Sequence, residues 1–537
     1  MIDTVALREK VLDLAIRGKL VPQDPNDEPA SVLLERIREQ KQQMVKEGKL
    51  KAKDIKDDSV IFVGDDNLHY EKFADGSVKC IEDEIPFELP EGWQWSRVAS
   101  FASIITDGEH KTPRRVEQFQ GYYLLSARNI QNGSISLNDV DYVDGEEYEI
   151  ISKRCNPRKN DVLISCSGSV GRVTVVCDDR HYVMVRSAAM IRPITISPYY
   201  LMYALQSGQL QNQIQAASKQ TAQANLFLGA IQTLLVPIPP IEEARRIVGL
   251  ATNAISITDN IEEQRVSVTQ VIATTKAKIL DLAIRGQLVP QNPDDEPASI
   301  LLERIRAEKE ELVKQGKIKR DKKESIIFRG DDNSYYEKIG TEVRCIDEEI
   351  PFEIPDTWEW ARLETLCSKE IRRGKSPKYV EESGTLVFAQ KCNTKYNGID
   401  IGLALCLDER ALSRYPTDEY MQDRDIVINS TGTGTLGRVG LYQTSGNRLN
   451  LPIVPDSHVT VIRGFSSIQA FYLYTFMKAN QSELEKKGEG STNQKELKPL
   501  TLKEMLVPLP PINEQKRIEA TIIHAFHRIS DIEKSLN

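Results

Sequence analysis

The sequence predicts an α/β protein: two globular α/β domains joined by long antiparallel coiled-coil helices, with a pseudo-twofold, circularly arranged repeat. Three observations predict it. A framework occurs twice, each copy holds an unrelated insert, and helical stretches with apolar seams flank the inserts. LDLAIRGKLVPQDPNDEPASVLLERIR from Leu12 returns 268 residues later, from Leu280, as LDLAIRGQLVPQNPDDEPASILLERIR, with 23 of 27 positions identical. SVIFVGDDNLHYEK from Ser59 returns from Ser325, and CIEDEIPFELPEGWQWSRV from Cys80 returns from Cys345. LLVPIPPIEEARRI from Leu234 is echoed by MLVPLPPINEQKRI from Met505. Residues 99–233 and 364–504 differ strongly, although the same markers bound both.

The elements follow in order. The N-terminal helix stops at Gly18, where a glycine suits a helix end. Residues 31–58 and 299–324 read as charged amphipathic helices, either facing a partner or simply solvated. After Pro240 a helix of about 45 residues, roughly 65–70 Å long, runs to Gly286. Its predicted seam is Ile247, Leu250, Ala254, Ile257, Ile261, Val268 and Val271, with Gln264 setting register. The last helix, from Ile512, carries Ile518, Ile522, Ala525, Ile529 and Ile532. It matches the first half of the long helix, and the N-terminal helix matches the second half. Placed end to end they rebuild a second copy, which would pack antiparallel on the first as a rod. The alternative is that each helix packs on its own insert domain. The segments are 1–95, N-terminal framework; 96–237, first insert; 238–360, central framework with the long helix; 361–508, second insert; and 509–537, C-terminal helix.

Composition narrows the function. Apolar residues make up 40% and charged residues 28%, an ordinary globular balance. No apolar run approaches the ~20 residues of a membrane span, and MIDTVALREK lacks a signal-peptide apolar region. The 8 cysteines form no CxxC pair and read as reduced thiols of a cytoplasmic protein. The net charge of -9 argues against a non-specific nucleic-acid coat. The inserts nevertheless carry net charges of +2 and +3 between their markers, the right sign for phosphate contact.

No P-loop, H-E-x-x-H, EF-hand loop or G-x-S-x-G occurs, so the chain reads as non-catalytic and binds no metal or cofactor of its own. Asp107, Glu109 and Lys111 superficially match the acid-x-Lys cluster of metal-dependent nucleases, a rival reading. A second rival is an interaction scaffold that binds no DNA.

Three loop pairs carry the candidate DNA-binding residues. The first is His110, Lys111, Thr112, Arg114 and Arg115, with Arg372, Arg373, Lys375, Ser376 and Lys378 as counterpart. Arginine can read guanine by a bidentate pair, and lysine more often meets phosphate; the other reading is a solvated basic loop. The second is a glycine-hydroxyl turn: Ser167, Ser169 and Arg172, with Thr431, Thr433, Thr435 and Arg438. Such turns can offer backbone N–H groups to phosphate or can simply be tight β-turns. The third is Lys219 and Gln223, with Asn493 and Gln494, amides suited to adenine edges or to helix caps.

These markers resemble the specificity subunits of type I restriction-modification enzymes, most closely the subgroup with longer subunits. The resemblance rests on L-P-x-G-W-x-W (Leu89–Trp95, with Ile354–Trp360 lacking the glycine), the P-L/I-P-P-I exit followed by Arg-Ile, and AIRG-x-LVPQ. It implies two target recognition domains, each reading one half of a split, asymmetric site in double-stranded DNA. It further implies frameworks that bind two methyltransferase subunits, joined by restriction subunits. S-adenosylmethionine, ATP and Mg would serve those partners, with no membrane involved.

Overall fold

The computed structural model describes residues 2–218, 224–318, 320, 324–395, 398–432, 434–489 and 495–536. They form two compact units, Met1–Arg265 and Val266–Asn537, with the boundary inside the longest helix.

In each unit a two-stranded antiparallel ribbon closes the insert. The opening strand Gln94–Arg97 pairs with the closing strand Leu235–Ile238, Trp95 opposite Pro237. In the second unit Glu359–Arg362 pairs with Leu506–Leu509, Trp360 opposite Pro508. The W-x-W and VP-x-PPI markers are therefore two sides of one device. Trp93 donates its indole N–H to the Glu243 carboxylate at 3.0 Å, and Trp358 does so to Glu514 at 2.9 Å. Tyr200 and Tyr472 donate to the carbonyls of Pro237 and Pro508. Arg246–Asp27 and Arg517–Asp295, both 2.6 Å, repeat the correspondence.

The AIRG glycines end their helices at φ +62° (Gly18) and +69° (Gly286), pressed against Pro90 and Pro355 where a Cβ would collide. Each framework also folds a three-stranded antiparallel sheet, Ser59–Val63, His69–Phe73 and Val78–Cys80 in one unit and Ser325–Arg329, Tyr335–Ile339 and Glu342–Cys345 in the other. Its inner face holds a buried carboxylate against an arginine of the opening strand: Glu71 with Arg97 at 2.9 Å, Glu337 with Arg362 at 2.9 Å. Burial pushes the Glu337 carboxyl up, but Arg362, Ser325 and Arg344 prevail and hold it at about 2.

The first insert packs a four-stranded antiparallel sheet, in the order Val173–Val175, Val162–Ser165, Ala188–Pro193, Ala102–Asp107, under the helix Pro198–Gln206. A smaller sheet pairs His181–Met184 in parallel with Tyr122–Leu125. The second insert keeps the central strands, Ile426–Asn429 between Val439–Leu441 and Val459–Ile462, and likewise pairs Leu386–Phe388 with Ile453–Pro455 in parallel. Two sequences with little in common thus build one α/β core.

The long antiparallel coiled coil is corrected. The central helix runs Ile241–Ile284, 44 residues, but of its predicted seam only Ile247 is buried. Leu250, Ile257 and Val271 are 45%, 59% and 60% exposed, and no residue in 259–271 is buried. The buried line is Ala244, Ile247, Ala251, Ile255 and Thr258, which sits one residue, or about 100°, around the helix from most of the predicted seam. Its apolar members join the first insert's core with Tyr200 and Tyr203. Small side chains at 244 and 251 permit that close approach, a feature that apolar spacing alone ranks below Leu250 and Ile257. The helix Thr4–Ile16 joins the same core, while Ile518 and Ile522 of the C-terminal helix pack with Leu280, Ala283, Trp358 and Tyr472. Beyond Ile522 no described residue of that helix is buried, and Ile532 is 50% exposed. Side-chain pairs tie the terminal helices to the central one, Thr4 to Glu262, Arg8 to Asp259 and Glu533 to Lys276, but the predicted seam buries no continuous interface, so the long antiparallel coiled coil is not formed.

Among the described residues no helix is long and apolar enough to cross a membrane. One ion pair gives a pH signature. Lys41 on the helix Ala30–Lys46 is buried and donates to Asp58 at 2.6 Å and to the Ala99 carbonyl at 2.7 Å. Burial pushes the Asp58 carboxyl up to about 6, against the pull of Lys41. The folded state therefore binds this proton more tightly than the unfolded chain, so stability falls as pH rises from about 4 to about 6. Relative to Asp58→Asn, the wild-type chain should lose up to about 3 kcal/mol across that window. Denaturant melts at pH 4, 5, 6 and 7 check this, and a flat difference contradicts it.

Candidate nucleic-acid interface

The loops singled out by sequence emerge from one edge of the insert sheet. Ser165 lies opposite Ala188, and Asp107 opposite Ala189, so the glycine-hydroxyl turn and the His110 loop leave on either side of one strand. The second insert repeats this, with Asn429 opposite Val459 and Arg373 bridged to Thr460. The segments beyond the third loops return to the same place: Ser167 bridges Asn225, and Thr431 bridges Glu496. Lys219, Gln223, Thr433, Asn493 and Gln494 lie outside the described residues.

In the first insert His110, Lys111 and Thr112 are exposed. The His110 ring meets Asp107 at 2.7 Å and Arg154 at 3.0 Å, and Arg154 also pairs with Asp107. Glu109 accepts the backbone N–H groups of Lys111 and His110, both at 2.9 Å, and the former holds its carboxyl below the usual range. Asp107 and Glu109 are thus engaged with the loop itself. Arg114 pairs with Asp144 at 2.8 Å and Glu146 at 3.0 Å, and Arg115 with Asp141 at 2.9 Å. Both arginines remain about half exposed, and solvent screening keeps surface pairs of this kind weak, so their guanidinium groups are free to meet another anion.

The second insert uses a different arrangement. The buried Glu419 gathers Arg372 at 2.6 Å, Lys369 at 3.4 Å and Lys375 at 3.8 Å. Burial pushes the Lys369 ammonium down, against Glu419 and Asp418. Lys375 also sits 5.7 Å from the Tyr415 ring, Arg373 pairs with Glu496 at 2.6 Å, and Ser376 and Lys378 are exposed.

In both turns part of the backbone is already engaged. Gly171 and Arg172 donate their N–H groups to Ser165, and Gly437 donates to Asn429. Ser169 is exposed, and Thr431 bonds the His458 ring at 2.7 Å. Thr435 bonds Gln390. Arg438 spends its guanidinium on the carbonyls of Asn393 (2.7 Å) and Gly434 (3.1 Å), whereas Arg172 has no ion pair among the described residues. The two arginines share a place but not a task.

Sequence reasoning missed three groups. Arg186 is exposed beside the His110 loop and donates its N–H to the Glu109 carbonyl. Arg154 and Glu419 organise the two basic loops from distant segments. The fold also aligns Gly108 with Gly374. Each packs against the end of the parallel strand, with Glu109 bridged to Val185 and Lys375 to Asp456. Asp107 therefore stands where the second insert has Arg373, a charge inversion hidden by aligning Thr112-Pro113 with Ser376-Pro377.

Residues 90–269 and 355–537 match the family described as the type I restriction modification DNA specificity domain. The chain is 30% identical over 414 residues to the type I restriction enzyme EcoAI specificity subunit of Escherichia coli, covering 67% of this chain and 62% of that protein. It is 27% identical over 598 aligned positions to the EcoEI specificity subunit of Escherichia coli, covering 98% and 90%. Its fold is similar to a chain from a solved structure concerned with complex assembly and conformational transition of the type I R-M system, with a TM-score of 0.50 at 17% identity over 84% of this chain and 94% of that one. With two matched segments that include both closing ribbons, the chain belongs to the type I restriction-modification specificity family.

Proposed function

We propose that this chain is the DNA-reading subunit of a type I restriction-modification enzyme, of the longer-subunit subgroup. Each insert reads one half of a split, asymmetric target. The frameworks position two methyltransferase subunits that methylate adenine with S-adenosylmethionine, and ATP-dependent restriction subunits join them. The chain itself is non-catalytic and works in the cytoplasm. One observation carries this reading: two divergent inserts, each closed by the same ribbon, present basic and hydroxyl side chains from several loops at one sheet edge. A shared scaffold with unlike loop chemistry is what two unlike half-sites require.

The test is single-molecule mapping of adenine methylation with residues 99–233 exchanged for another insert. A split motif should change in one half only. A split motif that survives the exchange intact removes the DNA-reading role and favours an interaction scaffold.

A further inference from the structure

Arg154 is pinned to the sheet edge of the first insert. Its Nε donates to the Gly108 carbonyl at 3.0 Å, while Nη2 pairs with Asp107 Oδ1 and meets the His110 ring at 3.0 Å. Nη1 has no partner among the described residues, and the side chain is 41% exposed. The arginine arrives from just beyond the helix Gly145–Ser152, 46 positions on from Gly108. Asp107 gives its other oxygen to His110 at 2.7 Å, so both its oxygens are engaged. In the second insert Arg373 stands where Asp107 does. It grows from the strand end itself, pairs with Glu496 at 2.6 Å and stays 31% exposed. Each insert thus sets a guanidinium beside the matching glycine, by a different route and on a different carboxylate. Lys111 is exposed, and its ammonium meets no hydrogen-bond partner among the described residues.

We infer that Arg154 reads a guanine in the first half-site, with Arg373 doing so in the second, and that Lys111 meets phosphate. The inference rests on the function proposed above and adds the residue and the base it selects. A guanidinium only donates hydrogen bonds. Guanine alone among the bases shows two acceptors, N7 and O6, and no donor at its major-groove edge. A base reader needs its donors fixed in place, and two hydrogen bonds already fix Arg154. A lysine on a free stem supplies charge without direction, which suits phosphate. Asp107 does not read the amino group of cytosine or adenine itself, because His110 and Arg154 occupy it.

The experiment uses the full chain assembled with the methyltransferase subunits of its system. Each guanine of the methylated split motif is replaced in turn by 7-deazaguanine, which lacks the N7 acceptor, and binding is measured. In the first half one replacement should weaken wild-type binding at least about fivefold, the equivalent of about 1 kcal/mol. Arg154→Ala should bind the natural site as weakly, ignore that replacement and still sense the guanines of the second half. Arg154→Lys, which keeps a cation beside Asp107, completes the same cycle if the alanine variant loses its fold. Arg373→Ala should mirror the result in the second half. Lys111→Ala should weaken every duplex alike and lower the salt slope by about 1. A first half that lacks guanine, or whose guanines all tolerate the replacement, overturns the inference and leaves the function standing. Arg154 variants that remain as sensitive to the replacement as wild type make this arginine a phosphate or structural contact and also overturn it. A wild-type complex that binds no split motif overturns both.

Discussion

Replacing Asp161 by alanine is expected to cost the first insert domain about 3–5 kcal/mol, enough to unfold it before the second. Asp161 is buried and takes a bidentate fork from Arg192, Nε at 2.7 Å and Nη2 at 2.6 Å, while also accepting the Arg158 backbone N–H at 2.8 Å. Removing the acid strands a guanidinium that the fold has drawn in; because the Arg192 side chain keeps 26% exposure, the lower end of that range is expected. The second insert holds the same device in Asp425 and Arg463, at 2.7 and 2.6 Å, with the Gln422 N–H at 2.8 Å. Asp425→Ala should therefore mirror the effect in the other unit. Denaturant melts followed by hydrogen exchange of each unit provide the readout. A loss below about 1 kcal/mol would mean the pair contributes no more than a surface bridge.

The second large effect concerns Gly108 and Gly374. A Cβ at Gly108 would collide with the Met184 carbonyl, and one at Gly374 with the carbonyls of Pro455 and Asp456. These obstacles are backbone, held by Gly108 N–H to Ala188 at 3.1 Å and Gly374 N–H to Val459 at 3.0 Å. Gly108→Ala must push the His110 loop off the sheet edge, a displacement costing about 1–3 kcal/mol in strain. Under the function proposed above, with one half-site read by each insert, DNA affinity for a site whose first half is correct should then fall roughly 10- to 100-fold, at about 1.4 kcal/mol per decade. Recognition of the other half-site by the second insert should be intact. Methylation mapping and filter binding on half-mutated sites separate the two. Equal loss at both halves would point to global unfolding instead of a local shift.

The frameworks were legible because they are nearly duplicated. Trp93, Trp95 and the VP-x-PPI run announced themselves as bounds before their pairing was visible. The helix seam was misread for a physical reason. Two overlapping stripes share Ile247, and apolar spacing favours the one with larger side chains, whereas close packing favours Ala244 and Ala251. The basic loops could be seen as charge, but the carboxylates that tether them could not. Asp144 lies 30 residues from Arg114, and Glu496 lies 123 from Arg373. The Asp107–Arg373 inversion was hidden because it depends on which residues reach the same strand end.

The ribbon that shuts each insert also bears on how freely inserts change size. Trp95 and Pro237 stand 142 residues apart, and Trp360 and Pro508 stand 148 apart. The entropy of tying chain ends together grows only with the logarithm of loop length, so those six extra residues cost about 0.04 kcal/mol. Even doubling an insert would add only about 0.6 kcal/mol. The clamp is thus almost indifferent to what it encloses, and inserts of longer or shorter loops can be accommodated while the ribbon that holds them stays unaltered.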